Sequence, residues 1–137
     1  MQRQTVLAAF TVLLLATGAH AQISQRWAAD VPFAFIVKDR SFVAGQCSVN
    51  TGRLEGTLLV RGAQSQAVSV QATDSHSGEA AGQSLLIFNR YGRQFFLSRI
   101  VSKGDDWTRE LPVSRREADV ARTGAVREEV RVLAVKN

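Results

Sequence analysis

Hydrophobic and polar positions alternate along this chain at a period of two, in short runs separated by turn-forming residues. The densest unit is residues 84–102, SLLIFNRYGRQFFLSRIVS. Two runs rich in Leu, Ile, Phe and Val flank the polar break Asn89-Arg90-Tyr91-Gly92-Arg93. Gly92 tolerates the left-handed backbone angles that a tight turn demands, so the stretch predicts a β-hairpin at the centre of the domain. Residues 84–88 and 58–60 are apolar on both faces. Strands of that kind are covered on both sides.

Upstream, Val31, Phe33, Phe35 and Val37 fall on one face of a strand over residues 30–38, and Pro32 marks an edge or the strand's start. Residues 22–29, which carry Trp27, read as a polar lead-in. Asp39-Arg40 makes a turn, and residues 46–50 form a strand with Cys47 and Val49 inward. Strands follow over residues 55–61 and 67–73, joined by a loop of the length usual between antiparallel neighbours. Residues 74–83, DSHSGEAAGQ, read as exposed loop. After Pro112, Ser114-Arg115-Arg116-Glu117 has the pattern of a capping box, in which Ser114 accepts from the Glu117 amide and the Glu117 carboxylate reaches back. Residues 118–122 continue a short helix, and Gly124 stands where a C-terminal cap glycine belongs. Its only apolar residues are Ala118, Val120 and Ala121, so it is expected to pack lightly. Residues 126–135 return to strand. The expected fold is all-β and mainly antiparallel: a β-sandwich or small barrel of about seven strands with one short helix near the C-terminus.

Residues 1–21 change this picture at one end. Arg3, an apolar run over residues 6–16 and the small-x-small triplet Ala19-His20-Ala21 have the layout of a secretory signal peptide. The run is shorter than the roughly 20 residues a membrane helix needs. Residues 22–137 then form a single β-rich domain, exported to the periplasm or the cell exterior. The sole cysteine, Cys47, allows no internal disulfide. It is either a buried small hydrophobe or a link to a second chain. The net charge of +5 comes mostly from Arg, interleaved with acidic residues over residues 109–131. That describes a mixed surface, not a cationic stripe, and export makes nucleic acid a poor partner.

Candidate chemistry is sparse. His76 is the one histidine beyond the leader. Asp74, His76 and Glu79 alternate in one loop, but solvated turn residues are the simpler reading, and no metal site, cofactor motif or catalytic residue is assigned. Asp74-Ser75-His76 holds the residue types of a serine triad, yet triad members come together from distant segments. A carboxylate-based hydrolase site drawn from Asp105, Asp106, Glu110 or Glu117 is the enzymatic alternative. The favoured ligand-binding residues are Tyr91, Trp107, Arg93 and Arg109, expected as an exposed aromatic and cationic cluster at one end of the sandwich.

Four segments carry a resemblance. Val31-Pro32-Phe33-Ala34-Phe35, residues 42–49 (FVAGQCSV), residues 88–98 (FNRYGRQFFLS) and residues 109–115 (RELPVSR) follow one another in order. Together they resemble a group of small exported bacterial proteins with the pattern V-P-F-x-F, L-P-A-G-x-Y-x-V, F-x-R-Y-G-x-x-Y-F-L-S and R-E-L-P-x-S-R. Val43, Cys47 and Phe95 depart from that pattern while keeping it apolar. The group has no assigned activity, so the resemblance implies an exported β domain and no functional residues. The expected function is a non-enzymatic binding or envelope-associated module, with a protein or polysaccharide of the cell envelope as partner. A self-pairing β module, joined through Cys47 or an edge strand, is the third expectation.

Overall fold

The structure is a computed structural model describing residues 24–137. The expected signal peptide over residues 1–21 lies outside the described residues. In chain order the elements are β1 (Arg26–Val31), β2 (Phe35–Val37), β3 (Arg40–Phe42), β4 (Gly45–Thr51), β5 (Thr57–Arg61), β6 (Ala67–Gln71) and β7 (Thr73–His76). There follow β8 (Leu85–Tyr91), β9 (Gln94–Val101), β10 (Trp107–Glu110), α1 (Arg115–Arg122), β11 (Arg127–Leu133) and β12 (Val135–Lys136). One sheet has the order β12-β1-β4-β5-β6, the other β11-β8-β9-β10-β7, with β2 also against β9 and β3 against β2. The pairings are antiparallel except for Ile36 beside Phe96, where β2 runs parallel to β9. The sheets face each other as a sandwich and do not close into a barrel. Among the described residues, no helix is long and apolar enough to cross a membrane.

The expected hairpin is the centre of the second sheet. Tyr91 faces Gln94 across a two-residue turn in which Gly92 has φ +63°. Leu86 and Phe88 of β8 enter the main core with Trp27, Phe35, Phe42, Val49, Leu58 and Val60. Residues of the opposite parity point the other way. There Tyr91, Phe96 and Ile36 form a smaller cluster closed by Val120 of α1. Each face of β8–β9 is therefore covered, one by the first sheet and one by the helix.

The helix does this through a polar contact more than through its apolar residues. Its only buried residue is Glu117, 4 % exposed. Ser114 accepts from the Glu117 amide at 3.2 Å, as the capping pattern implies. The Glu117 carboxylate does not reach back; it turns down onto β8 and accepts from Asn89 Nδ2 at 2.9 Å. Asp39, in the β2–β3 turn, accepts from the Arg116 amide at 3.2 Å and ties the helix start to the sheet. That turn is Lys38-Asp39, with φ +47° and +64°, one residue earlier than expected.

Elsewhere the expected elements shift. The single strand over residues 30–38 is two strands, because the chain bends at Pro32-Phe33 and crosses from the first sheet to the second. Both pieces send residues into the same core, so the period-two pattern runs through the bend unbroken. Residues 26–31 are strand, not lead-in, and Trp27 is fully buried, donating from Nε1 to Ser102 Oγ at 2.8 Å. The expected loop over residues 74–83 begins as β7. The last strand divides at Ala134 into β11 and β12, which lie in different sheets.

Glu117→Ala should lower stability by about 1–2 kcal/mol, since it removes the partner of the half-buried Asn89 amide, whereas Glu117→Gln should keep most of the contact. Urea unfolding of the three proteins measures the difference.

Candidate functional site

β10 carries the site that the fold brings together. In the β10–β7 pairing, Trp107 sits opposite His76 and Arg109 opposite Asp74. Opposed residues share a face, and residues two apart share it too. Four chemically capable side chains thus stand on one face of a two-strand edge.

The Trp107 and His76 rings touch, with centroids 3.4 Å apart at 40°. His76 Nδ1 lies 3.6 Å from Asp106 Oδ2. Trp107 remains 46 % exposed, so one ring face is open to solvent while the histidine backs the other. Arg109 is held from three sides. Its Nη2 donates to Gln25 Oε1 at 3.1 Å, its Nε is 3.9 Å from Asp74 Oδ1, and its guanidinium lies 5.3 Å from the centroid of the Trp27 ring. Trp27 is in turn fixed by Ser102. A cation pinned over a buried indole presents its remaining N–H groups in a set direction. Beside it opens a groove of about 560 Å³, lined by Arg109, Gln25, Thr51, Arg53 and Glu55. The platform, the oriented guanidinium and the groove are contiguous.

The other two expected site residues are elsewhere. Tyr91 pairs with Gln94 at one end of β9, while Thr108 pairs with Val101 at the other. That is roughly 23 Å of strand at about 3.3 Å per residue. Tyr91 is only 8 % exposed and packs edge-on against Phe96. Burial, and then the neighbouring Glu117 carboxylate, hold its hydroxyl above the usual tyrosine range. Arg93 is exposed on the hairpin turn at that same end. The expected four-residue cluster is thus two pairs, and the Tyr91 half is a packed layer, not an open surface.

The carboxylates considered for hydrolysis are dispersed. Asp105 is 3.3 Å from Lys136 Nζ, Asp106 faces His76, Glu110 is at the far end of β10, and Glu117 is under the helix. Asp74 and His76 engage Arg109 and Trp107; among the described residues, no three His, Cys, Asp or Glu side chains are grouped around one point. Cys47 is buried opposite Ala29 in the first sheet, and a disulfide to another chain would require that sheet to open. Burial pushes its thiol up to about 12.

His76, Asp74, Gln25 and Arg53 were not expected in this site. The signal of Asp74 and His76 is weak because both faces of β7 are polar, and Gln25 and Arg53 lie just outside β1 and β4, where no periodicity places them. Comparison with protein-family models, with curated proteins and with solved structures found no match to this chain.

The Cys47 geometry has a pH consequence. The folded thiol keeps its proton up to about pH 12, whereas the unfolded thiol releases it near 9.0. The folded state therefore holds the extra proton between these values, and stability falls as pH rises through that window. Tyr91 adds in the same direction. Urea unfolding above pH 9 should show the decline, and Cys47→Ala should make it shallower.

Proposed function

We propose that this chain is an exported, non-enzymatic binding module whose ligand lies along the Trp107 and Arg109 face of β7 and β10, at the open end of the sandwich, and that the ligand is a polysaccharide of the cell envelope. The exposed Trp107 ring carries the reading. It is the one aromatic among the large hydrophobic side chains that stand exposed in the described residues. It is backed by a histidine and followed two residues later by a rigid guanidinium. Sugar rings offer an apolar face that stacks on an indole and a rim of hydroxyls that pair with Arg, Asp and Gln side chains. Trp107 supplies the first, and Arg109, Asp74 and Gln25 the second. The groove beyond Arg109 continues the polar lining to Thr51, Arg53 and Glu55, which gives a sugar chain further hydroxyl partners. Export is supported by the layout of residues 1–21 and by the resemblance of the four motifs.

The protein has two tryptophans, one buried and one exposed, so fluorescence reports on the site selectively. Titration with soluble oligosaccharides should shift the Trp107 emission. Trp107→Ala should weaken binding by about tenfold or more, while costing no more than about 0.5 kcal/mol of stability. If oligosaccharides leave the emission unchanged across neutral, acidic and amino sugars, a polysaccharide is not the ligand.

A further inference from the structure

The outer face of the first sheet carries positive charge without counter-charge. Trp27, Ala29, Cys47, Val49, Leu58 and Val60 point into the core, so the residues between them point away from it. On that outer face Arg26 stands opposite Asn50, and Ala28, Ser48 and Arg61 form the next row across β1, β4 and β5. The short side chains of Ala28 and Ser48 leave a groove of about 430 Å³, with both Arg26 and Arg61 on its walls. No carboxylate lines it. Asp30, the one acidic strand residue of this face, lies opposite Gln46 and lines the separate groove beside β11. In the second sheet, by contrast, Arg90, Arg99, Arg109 and Arg131 each have a carboxylate partner. Among the described residues, neither Arg26 nor Arg61 has an ion pair or a side-chain hydrogen bond. Arg26 does not donate even to the Asn50 side-chain oxygen opposite, which is buried and unpartnered.

We propose that this groove is a phosphate site: Arg26 and Arg61 clamp one phosphate group against the face of β4. The Ser48 hydroxyl and the Gln46 amide, which line the same groove, donate to its remaining oxygens. The register sets the span. Two strand spacings across and two residues along place the two arginine Cα atoms roughly 12 Å apart, a gap that two extended side chains close around a small anion. A guanidinium fork matches a pair of phosphate oxygens, and two forks balance the near-double charge of a phosphate monoester. A planar carboxylate offers two oxygens and one charge, so it satisfies one fork and leaves the other idle. The donor set is therefore matched to a tetrahedral, doubly charged group. It uses neither Trp107 nor Arg109, so it stands independently of the sugar platform.

Equilibrium dialysis of the mature chain against inorganic phosphate and against glycerol phosphate, at constant ionic strength, tests the site. Phosphate should bind, and acetate should bind about tenfold more weakly or worse. Arg26→Ala and Arg61→Ala should each raise the phosphate dissociation constant by about tenfold or more with the thermal melt retained, since both side chains are exposed. Arg93→Ala removes the same charge from the β8–β9 turn of the other sheet and should bind as wild type. Vesicles of phosphatidylcholine containing phosphatidic acid, with phosphatidylcholine alone as control, form a second arm. Retention on them that Arg61→Ala abolishes assigns the phosphate to a lipid headgroup. Binding in solution without retention assigns it to a free or soluble ester phosphate. A wild type that takes up neither phosphate nor phosphatidic acid vesicles overturns the proposal. So does acetate that binds as tightly as phosphate, Arg26→Ala and Arg61→Ala variants that bind as wild type, or an equal loss in Arg93→Ala.

Discussion

The β8–β9 hairpin is apolar on both faces, and most of the architecture follows from the need to cover both. Burying Leu86 and Phe88 requires one layer, and burying Tyr91, Phe96 and Ile36 requires another on the opposite side. The first sheet supplies the larger cover at ordinary hydrophobic gain, about 25 cal/mol for each Å² removed from water. The second cover is an eight-residue helix with little apolar surface of its own. It is held by Glu117 on Asn89 and by Asp39 on the Arg116 amide. A short polar helix is marginal alone, and here tertiary hydrogen bonds provide what its composition lacks.

The hairpin, its turn glycine, the helix cap and the antiparallel class were all legible, because each rests on local periodicity or on one residue's backbone preference. What escaped was non-local. Trp27 looked like part of a polar segment because its neighbours Arg26, Ala28 and Asp30 carry no strong alternation, yet it fills the end of the core and bonds Ser102, 75 positions away. β7 was hidden because Thr73, Asp74, Ser75 and His76 offer no apolar face. The extra strands, twelve among the described residues against about seven expected, arise mainly where the chain passes from one sheet to the other. The β1–β2 and β11–β12 passages keep their residues directed at a common core, so nothing in the pattern records the change of sheet there.

The candidate site shows the same division. Trp107 and Arg109 were identifiable as an aromatic and a cation in a segment without a strong core signature, and they do share a strand face. Tyr91 and Arg93 were grouped with them by residue type, and register separates the pairs along the length of β9. Arg109 owes its fixed direction to Trp27 beneath it, so a core residue and a surface residue act as one support. The site is therefore less an addition to the sandwich than the exposed end of its packing.

The passage of the chain from β11 into β12 also shapes how the molecule is made. Val135 and Lys136 complete the first sheet by pairing with Ala28 and Trp27, so the strand nearest one end of the domain waits for residues more than a hundred positions later. Closing so long a loop is entropically unfavourable, and topologies dominated by such contacts fold slowly. Until residues 135 and 136 are available, β1 keeps one side unpaired and Trp27 lacks part of its cover. A chain delivered from its first residue onwards cannot finish this sheet during delivery. It acquires its complete native form only after residues 135 and 136 have emerged.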